Sequence, residues 1–104
     1  MSTKANRVTE SELSQIVLQI LADSSNGEAT VAQLKKEIPK RIQLSDADRQ
    51  DSETRPGEEL WEQQVRNITS HKKTPGNIIY EGFAEPIESG LRITSAGIAH
   101  VQSK

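Results

Sequence analysis

A chain of 104 residues with 33% hydrophobic and 3% aromatic residues has room for one domain with a small, aliphatic core. It contains no cysteine, which excludes a disulfide framework and a zinc site built on thiolates. No apolar run reaches the roughly 18 to 20 residues that a membrane span requires, and the first seven residues lack the apolar core of a secretion signal. We therefore expect a cytoplasmic protein with no membrane partner.

The net charge of −2 argues mildly against a nucleic-acid partner, but the charges are unevenly distributed along the chain. Residues 31–42 carry four bases and one acid, and residues 43–64 carry seven acids and two bases. Arg66, Lys72 and Lys73 follow with no intervening acid. Phosphates respond to local clusters of bases, so this distribution is compatible with a DNA partner. The alternative is that these blocks are simply solvated surfaces.

The first helix is predicted to begin at a capping box. Thr9 and Glu12 have the required spacing, since each side chain can satisfy a backbone amide at the helix start. The apolar residues between Leu13 and Leu21 follow at helical spacing, and residues 23–27 favour a turn. We expect residues 1–8 to be a flexible N-terminus.

A second helix should begin at Thr30, with Gln33 in the reciprocal capping position. Pro39 is expected to kink the helix or end it near Ile38, because the proline ring removes a backbone donor and crowds the preceding turn. The dipeptide Glu28–Ala29, which comes before the helix, is too short for more than a stub of strand.

Residues 43–57 are rich in Asp, Ser and Glu, contain Pro56–Gly57 and offer almost nothing to bury. We expect them to form an exposed acidic loop within the domain. Ser45 and Asp48 have the spacing to cap a single turn of helix inside this loop.

A third helix is predicted over about residues 58–71, with Trp61, Val65 and Ile68 on its buried face. Acids at its start and bases at its end suit the helix dipole. Proline is favoured at the first position of a helix, so Thr74–Pro75 indicates either a kink in this helix or a separate helical piece.

Residues 83–94 are typical of a small hairpin with its turn at residues 88–90. Pro86 restricts its strand to an edge position, and Thr94 is expected to cap a last helix. The predicted fold is mainly α with a small β-hairpin, in the order of three helices, a two-stranded hairpin and a fourth helix. This order matches a winged helix-turn-helix domain spanning residues 9–104.

Three segments carry more specific patterns. Residues 60–68 form an aromatic-led helix with a Val-Arg pair, residues 82–85 a turn into the wing, and residues 90–97 a closing Ile-Thr-x-x-Gly. In these features the chain resembles the N-terminal winged-helix domain of Mrr-like restriction proteins. The resemblance implies a winged-helix fold and a recognition role. These 104 residues do not include the nuclease domain that such proteins usually carry, so we expect no cleavage.

The polar side of the third helix is the predicted DNA-binding surface. Arg66 can bond bidentately to guanine or phosphate, and Asn67 can pair with adenine, from a helix in the major groove. Lys72 and Lys73 suit the phosphate backbone, and Arg92 in the wing suits a minor groove or a phosphate. The predicted DNA-binding residues are Gln63, Arg66, Asn67, Ser70, His71, Lys72, Lys73, Asn77 and Arg92. The alternative for this surface is simple solvation.

No pattern indicates catalysis or a bound metal. His71 and His100, the only histidines, lack the spacing of a metal site. The acids of residues 46–53 lack the central glycine and terminal glutamate of a calcium loop. No nucleophile and base occur in a recognised motif. We expect no enzymatic activity, no cofactor, no metal and no small-molecule substrate.

Two functions follow from these patterns. The first is a non-catalytic DNA-binding winged-helix module, recognition or regulatory, whose partner is double-stranded DNA. The second is a winged helix for protein–protein interaction or dimerisation, which the net negative charge favours. In that alternative, acidic residues 46–62 would form the docking surface or a guard that repels DNA.

Overall fold

The computed structural model describes residues 8–52 and 55–103. Within these ranges the chain forms a mixed α/β fold of four helices and three strands. The helices are α1 (Glu10–Asp23), α2 (Val31–Arg41), α3 (Leu60–Ser70) and α4 (Ser95–Gln102), and the strands are β1 (Glu28–Thr30), β2 (Ala84–Ile87) and β3 (Gly90–Ile93). Of the predicted flexible N-terminus, residues 1–7 lie outside the described residues. Val8 is described, and it packs against the hydrophobic core.

Both predicted capping boxes are confirmed. At the start of α1, the Thr9 hydroxyl accepts from the Glu12 amide at 3.0 Å, and the Glu12 carboxylate accepts from the Thr9 amide at 2.9 Å. Thr30 and Gln33 make the same reciprocal pair at the start of α2. Each pair satisfies two backbone amides that a helix start would otherwise leave without partners.

Helix α2 continues past Pro39 and ends at Arg41. Of the two predicted alternatives, a kink or an end near Ile38, the end was therefore wrong. Pro39 has no amide to donate, but the amide of Ile42 still donates to the carbonyl of Ile38 at 3.1 Å.

The sheet has three antiparallel strands in the order β1-β3-β2. The predicted hairpin is confirmed as β2 and β3, with Pro86 on an edge strand opposite Leu91. The stub of strand allowed at Glu28–Ala29 is a three-residue strand, Glu28–Thr30, which pairs along the other side of β3 with Glu28 opposite Arg92. The predicted element order had counted only the two hairpin strands. A strand of three residues lacks a detectable alternating pattern, so its pairing depends on the tertiary fold.

Helix α1 packs against the other three helices and β3, so it lies at the centre of the domain. Trp61 is only 5% exposed, which confirms its predicted place in the core. The largest fully buried side chains are Leu13, Val17, Leu18, Leu21, Leu34, Ile38, Ile68 and Ile78. Burial of these aliphatic groups provides the main driving force for folding.

The acidic loop is less exposed than its composition predicted. Leu44, Asp48 and Ser52 are all buried, and an antiparallel bridge joins Asp51 to Glu59. The expectation that this loop buries almost nothing was therefore wrong. The hydrogen bonds expected between Ser45 and Asp48 are present, with each backbone amide donating to the other residue's side chain at 3.0 and 3.1 Å.

The segment between α3 and β2 forms hydrogen-bonded turns over residues 71–82. Neither a kink of α3 at Pro75 nor a new helix at that residue is present, so this prediction was wrong. The side chain of Asn77 accepts from the amides of Ile79 and Tyr80 at 2.8 and 3.2 Å, which favours a turn over a helix. The order of helices and strands is compatible with a winged-helix layout. No helix in the described ranges is long and apolar enough to cross a membrane.

Candidate nucleic-acid interface

The side of α3 opposite the core is polar. Trp61, Val65 and Ile68 are buried, and their spacing turns a second set of side chains away from the core. We call this second set the outer face of α3; it consists of Gln63, Arg66, Asn67 and Ser70. Ser70 is exposed and the other three are partly exposed.

Arg66 on this outer face is held by a carboxylate. Its Nε and Nη2 atoms donate to the two carboxylate oxygens of Glu58 at 3.1 and 3.0 Å. The side chain of Glu58 is 10% exposed and that of Arg66 is 31% exposed. Hydrogen bonding from Arg66 lowers the pKa of Glu58 below its ordinary value of 4.5, although burial acts in the opposite direction. The pair is therefore fully charged at neutral pH.

The loop that supplies Glu58 also contacts Gln63. The hydroxyl of Ser52 donates to the side-chain oxygen of Gln63 at 3.1 Å. Two of the four residues on the outer face of α3 therefore bond to the residues just before the helix. We call these two interactions, Ser52 with Gln63 and Glu58 with Arg66, the loop–α3 contact.

The other two residues of the outer face are less constrained. The Ser70 hydroxyl donates to the carbonyl of Arg66 at 3.4 Å, a bond within the same helix. The side chain of Asn67 makes no hydrogen bond to any other residue in the described ranges. Asn67 can therefore offer both its donor and its acceptor to a ligand.

The end of α3 carries three predicted DNA-binding residues. His71 Nδ1 lies 2.9 Å from a carboxylate oxygen of Glu10 in α1. Lys72 and Lys73 are exposed, and neither forms an ion pair with an acid in residues 8–52 or 55–103. Among the predicted DNA-binding cations, these two lysines can therefore bind a phosphate without first breaking an ion pair with a described carboxylate.

Asn77 is placed inside the fold and not on the predicted surface. It is 8% exposed, and its side-chain amide donates to the carbonyl of Ile68 at 2.8 Å. Its side-chain oxygen accepts from the two backbone amides of the following turn. The nearby amide of Gly76 donates to a carboxylate oxygen of Glu81 at 3.0 Å. Asn77 therefore fixes the connection after α3, with both of its polar atoms bonded within the chain.

Arg92 in the hairpin bridges all three strands. Its Nε donates to Glu85 of β2 at 2.8 Å, and its Nη1 donates to Glu28 of β1 at 3.2 Å. These two hydrogen bonds, first the one that Glu85 accepts and then the one that Glu28 accepts, raise the pKa of Arg92 above its ordinary value. The guanidinium stays charged but is already paired with two carboxylates.

Sequence reasoning did not foresee the acids that lie beside the predicted DNA-binding residues. The partner of Arg92 on β2 had a signal, because the predicted hairpin puts Glu85 opposite Arg92. No such signal in the sequence indicated that Glu58 would pair with Arg66, since residue 58 was assigned to the third helix. In the structure Glu58 precedes that helix, and its carboxylate reaches over the helix start.

The residues that the structure describes contain no group of three or more His, Cys, Asp or Glu that could hold a metal ion. His100 is partly buried; its ring stacks on Phe83 at 4.4 Å and its Nε2 lies 2.9 Å from the side-chain oxygen of Gln15. An open polar groove between the end of α1 and α2 is lined by charged residues that include Asp23, Glu37 and Arg41.

Comparison of the chain with models of known protein families, with curated proteins and with solved structures finds no match. Its function is therefore inferred from its own sequence and geometry. The features available for that inference are the order of its elements, the polar outer face of α3, and Lys72 and Lys73, which pair with no acid that the structure describes.

Proposed function

We propose that this chain is a non-catalytic winged-helix module that binds double-stranded DNA through the outer face of α3 and the lysines after it. The observation that carries the proposal is the element order α1-β1-α2-α3-β2-β3-α4 with the sheet order β1-β3-β2. In helix-turn-helix proteins, the second helix of the pair lies in the major groove. In the proposed arrangement α3 takes that position, and the resemblance of residues 60–68, 82–85 and 90–97 to Mrr-like N-terminal domains supports it.

The chemistry of the outer face supports this role. Asn67 has a side-chain amide with both donor and acceptor available, which suits the edge of an adenine. The exposed Ser70 hydroxyl suits a base edge or a phosphate. Lys72 and Lys73 supply two charges for the DNA backbone directly after the helix. Binding with this few free cations should be modest in affinity and strongly dependent on salt.

The test is a duplex-binding titration by fluorescence anisotropy at about 50 and about 150 mM salt. With two phosphate contacts, from Lys72 and Lys73, this change in salt should weaken binding about sevenfold. The double variant Lys72→Ala/Lys73→Ala should lower the slope of log affinity against log salt by about 1.8, because each phosphate contact contributes about 0.9. Absence of binding to any duplex at the lower salt would exclude the proposal.

The matched control is Lys36→Ala/Lys40→Ala, which removes the same charge from α2. Lys36 lines the groove that also contains Asp23 and Glu37, and Lys40 pairs with Glu37 at 3.5 Å. This variant should change the salt slope by well under one unit. An equal decrease of the salt slope in both double variants would mean that the overall charge of the chain, and not this surface, governs binding.

A protein-interaction or dimerisation module is the second candidate, and one observation favours it. Of the five arginines in the described ranges, Arg41, Arg49, Arg66 and Arg92 are each paired with a carboxylate. Such pairing leaves little excess positive charge for DNA. Sedimentation velocity across a concentration series tests the dimerisation form of this candidate, and a monomer at every concentration excludes that form.

A further inference from the structure

In the loop–α3 contact, the carboxylate of Glu58 binds Arg66, a residue of the surface that the proposed function assigns to DNA. Glu58 engages Arg66 with both oxygens, and Ser52 engages Gln63 in the preceding turn of the same helix. A carboxylate and a phosphate match the same forked donor geometry of a guanidinium. The two anions therefore compete for one binding position.

The backbone holds Ser52 and Glu58 in this position. The Ser52 amide donates to the Glu58 carbonyl at 2.6 Å, and the Glu58 amide donates to the Arg55 carbonyl at 3.1 Å. The Leu60 amide at the start of α3 donates to the carbonyl of Gln50 at 2.8 Å. Backbone hydrogen bonds within the loop, and one from the loop to the start of α3, therefore hold Glu58 in place.

We propose that the loop–α3 contact is autoinhibitory, with Glu58 occupying the donors of Arg66 that a DNA phosphate or guanine would otherwise take. The inference depends on the proposed function, because it describes regulation of the same surface. Duplex binding through Arg66 then requires the guanidinium to exchange one anion for another. Until that exchange, the Glu58 carboxylate also repels the incoming phosphates.

The experiment compares the duplex affinity of Glu58→Gln with that of Asp51→Asn. Both variants remove one negative charge from the same loop. Asp51 is exposed, and its side chain makes no hydrogen bond or ion pair with another residue in the described ranges. Glu58→Gln removes the carboxylate that competes with DNA for Arg66, so it should bind about tenfold more tightly than Asp51→Asn at about 50 mM salt. Its salt slope should rise by about 0.9, the value of one more phosphate contact.

Each result decides the matter. Tighter binding by Glu58→Gln than by Asp51→Asn supports the inference. Equal affinity of the two variants overturns the autoinhibition and leaves the DNA-binding function intact. Weaker binding by Glu58→Gln also overturns it, and indicates that Glu58 orients Arg66 for DNA. Absence of binding by the unmodified chain and by both variants overturns the inference together with the proposed function.

A second measurement keeps the test valid if Glu58→Gln fails to fold, which near-ultraviolet circular dichroism of Trp61 would reveal. The Nε–H resonance of Arg66 is followed by nuclear magnetic resonance while duplex is added to the unmodified chain. Exchange of carboxylate for phosphate should shift this resonance in proportion to bound duplex. An unchanged resonance at saturation overturns the inference.

Discussion

The carboxylate of Asp48 accepts a hydrogen bond from the backbone amide of Val8, 40 residues earlier in the chain, at 2.9 Å. Its second oxygen accepts from the amide of Ser45 at 3.0 Å, and the Asp48 carbonyl accepts from the amide of Trp61 at 3.0 Å. One residue therefore ties together the segment before α1, the acidic loop and the first turn of α3. This arrangement explains why an acid in an acidic loop is buried.

We expect Asp48→Ala to destabilise the domain by about 2 kcal/mol, because two backbone amides lose their acceptor. Urea denaturation followed by the fluorescence of Trp61, the only tryptophan, measures this change. The control is Asp46→Ala, an exposed acid in the same turn, which should change stability by no more than about 0.5 kcal/mol. Equal effects would show that the bond to Val8 contributes nothing.

Gly97 in α4 has no space for a side chain. A Cβ at this position would collide with the carbonyl oxygen of Phe83 and would lie 2.7 Å from Cγ1 of Ile93. Gly97→Ala should therefore destabilise the domain by about 2–3 kcal/mol through overpacking, even though alanine is the better helix former. The control Ala99→Gly, at an exposed position of the same helix, should cost only about 1 kcal/mol. A more stable Gly97→Ala variant would contradict this close packing of α4.

Features that depend on neighbours in sequence could be predicted. The capping boxes of α1 and α2 need only two residues three positions apart, and the hairpin needs only a turn at residues 88–90 and an edge position for Pro86. The outer face of α3 likewise follows from the spacing of three buried residues. Local spacing therefore accounts for most of the helices, the hairpin and the location of the candidate surface.

Features that depend on distant residues could not be predicted. The strand Glu28–Thr30 forms because β3, more than 60 residues later, offers an edge. The composition of the acidic loop gave no sign that Asp48 would meet Val8. The partners of Arg66 and His71 were likewise invisible, since Glu58 and Glu10 approach them only in the folded chain. Burial and charge pairing across such separations depend on the tertiary arrangement.

The stability contributed by Glu58 should depend on pH. Its pKa is lower in the folded chain than its ordinary value of 4.5, chiefly because Arg66 donates hydrogen bonds to it. The ionised form is therefore favoured by folding. Its contribution is fully present above about pH 4.5 and is lost as the pH falls through the folded-state pKa.

Urea midpoints of the unmodified chain and of Glu58→Gln test this dependence. Glu58→Gln should be less stable at about pH 7, and the difference should shrink as the pH is lowered to about 3. The exposed Asp51→Asn variant serves as the control for general charge effects and should show no such convergence. A difference that stays constant with pH would mean that the ionised carboxylate of Glu58 does not stabilise the fold.

Alanine variants of Asn67 and Asn77 should separate effects on duplex binding from effects on the stability of the fold. Asn77 uses its side chain to satisfy the Ile68 carbonyl and two turn amides, so Asn77→Ala should lose about 2 kcal/mol of stability. The side chain of Asn67 makes no hydrogen bond to another described residue, so Asn67→Ala should change stability by no more than about 0.5 kcal/mol. It should instead weaken duplex binding by about 1–3 kcal/mol if it reads a base. Thermal unfolding and anisotropy on both variants check these outcomes, and a reversal of the two effects would move the interface from the outer face of α3 to the turn after it.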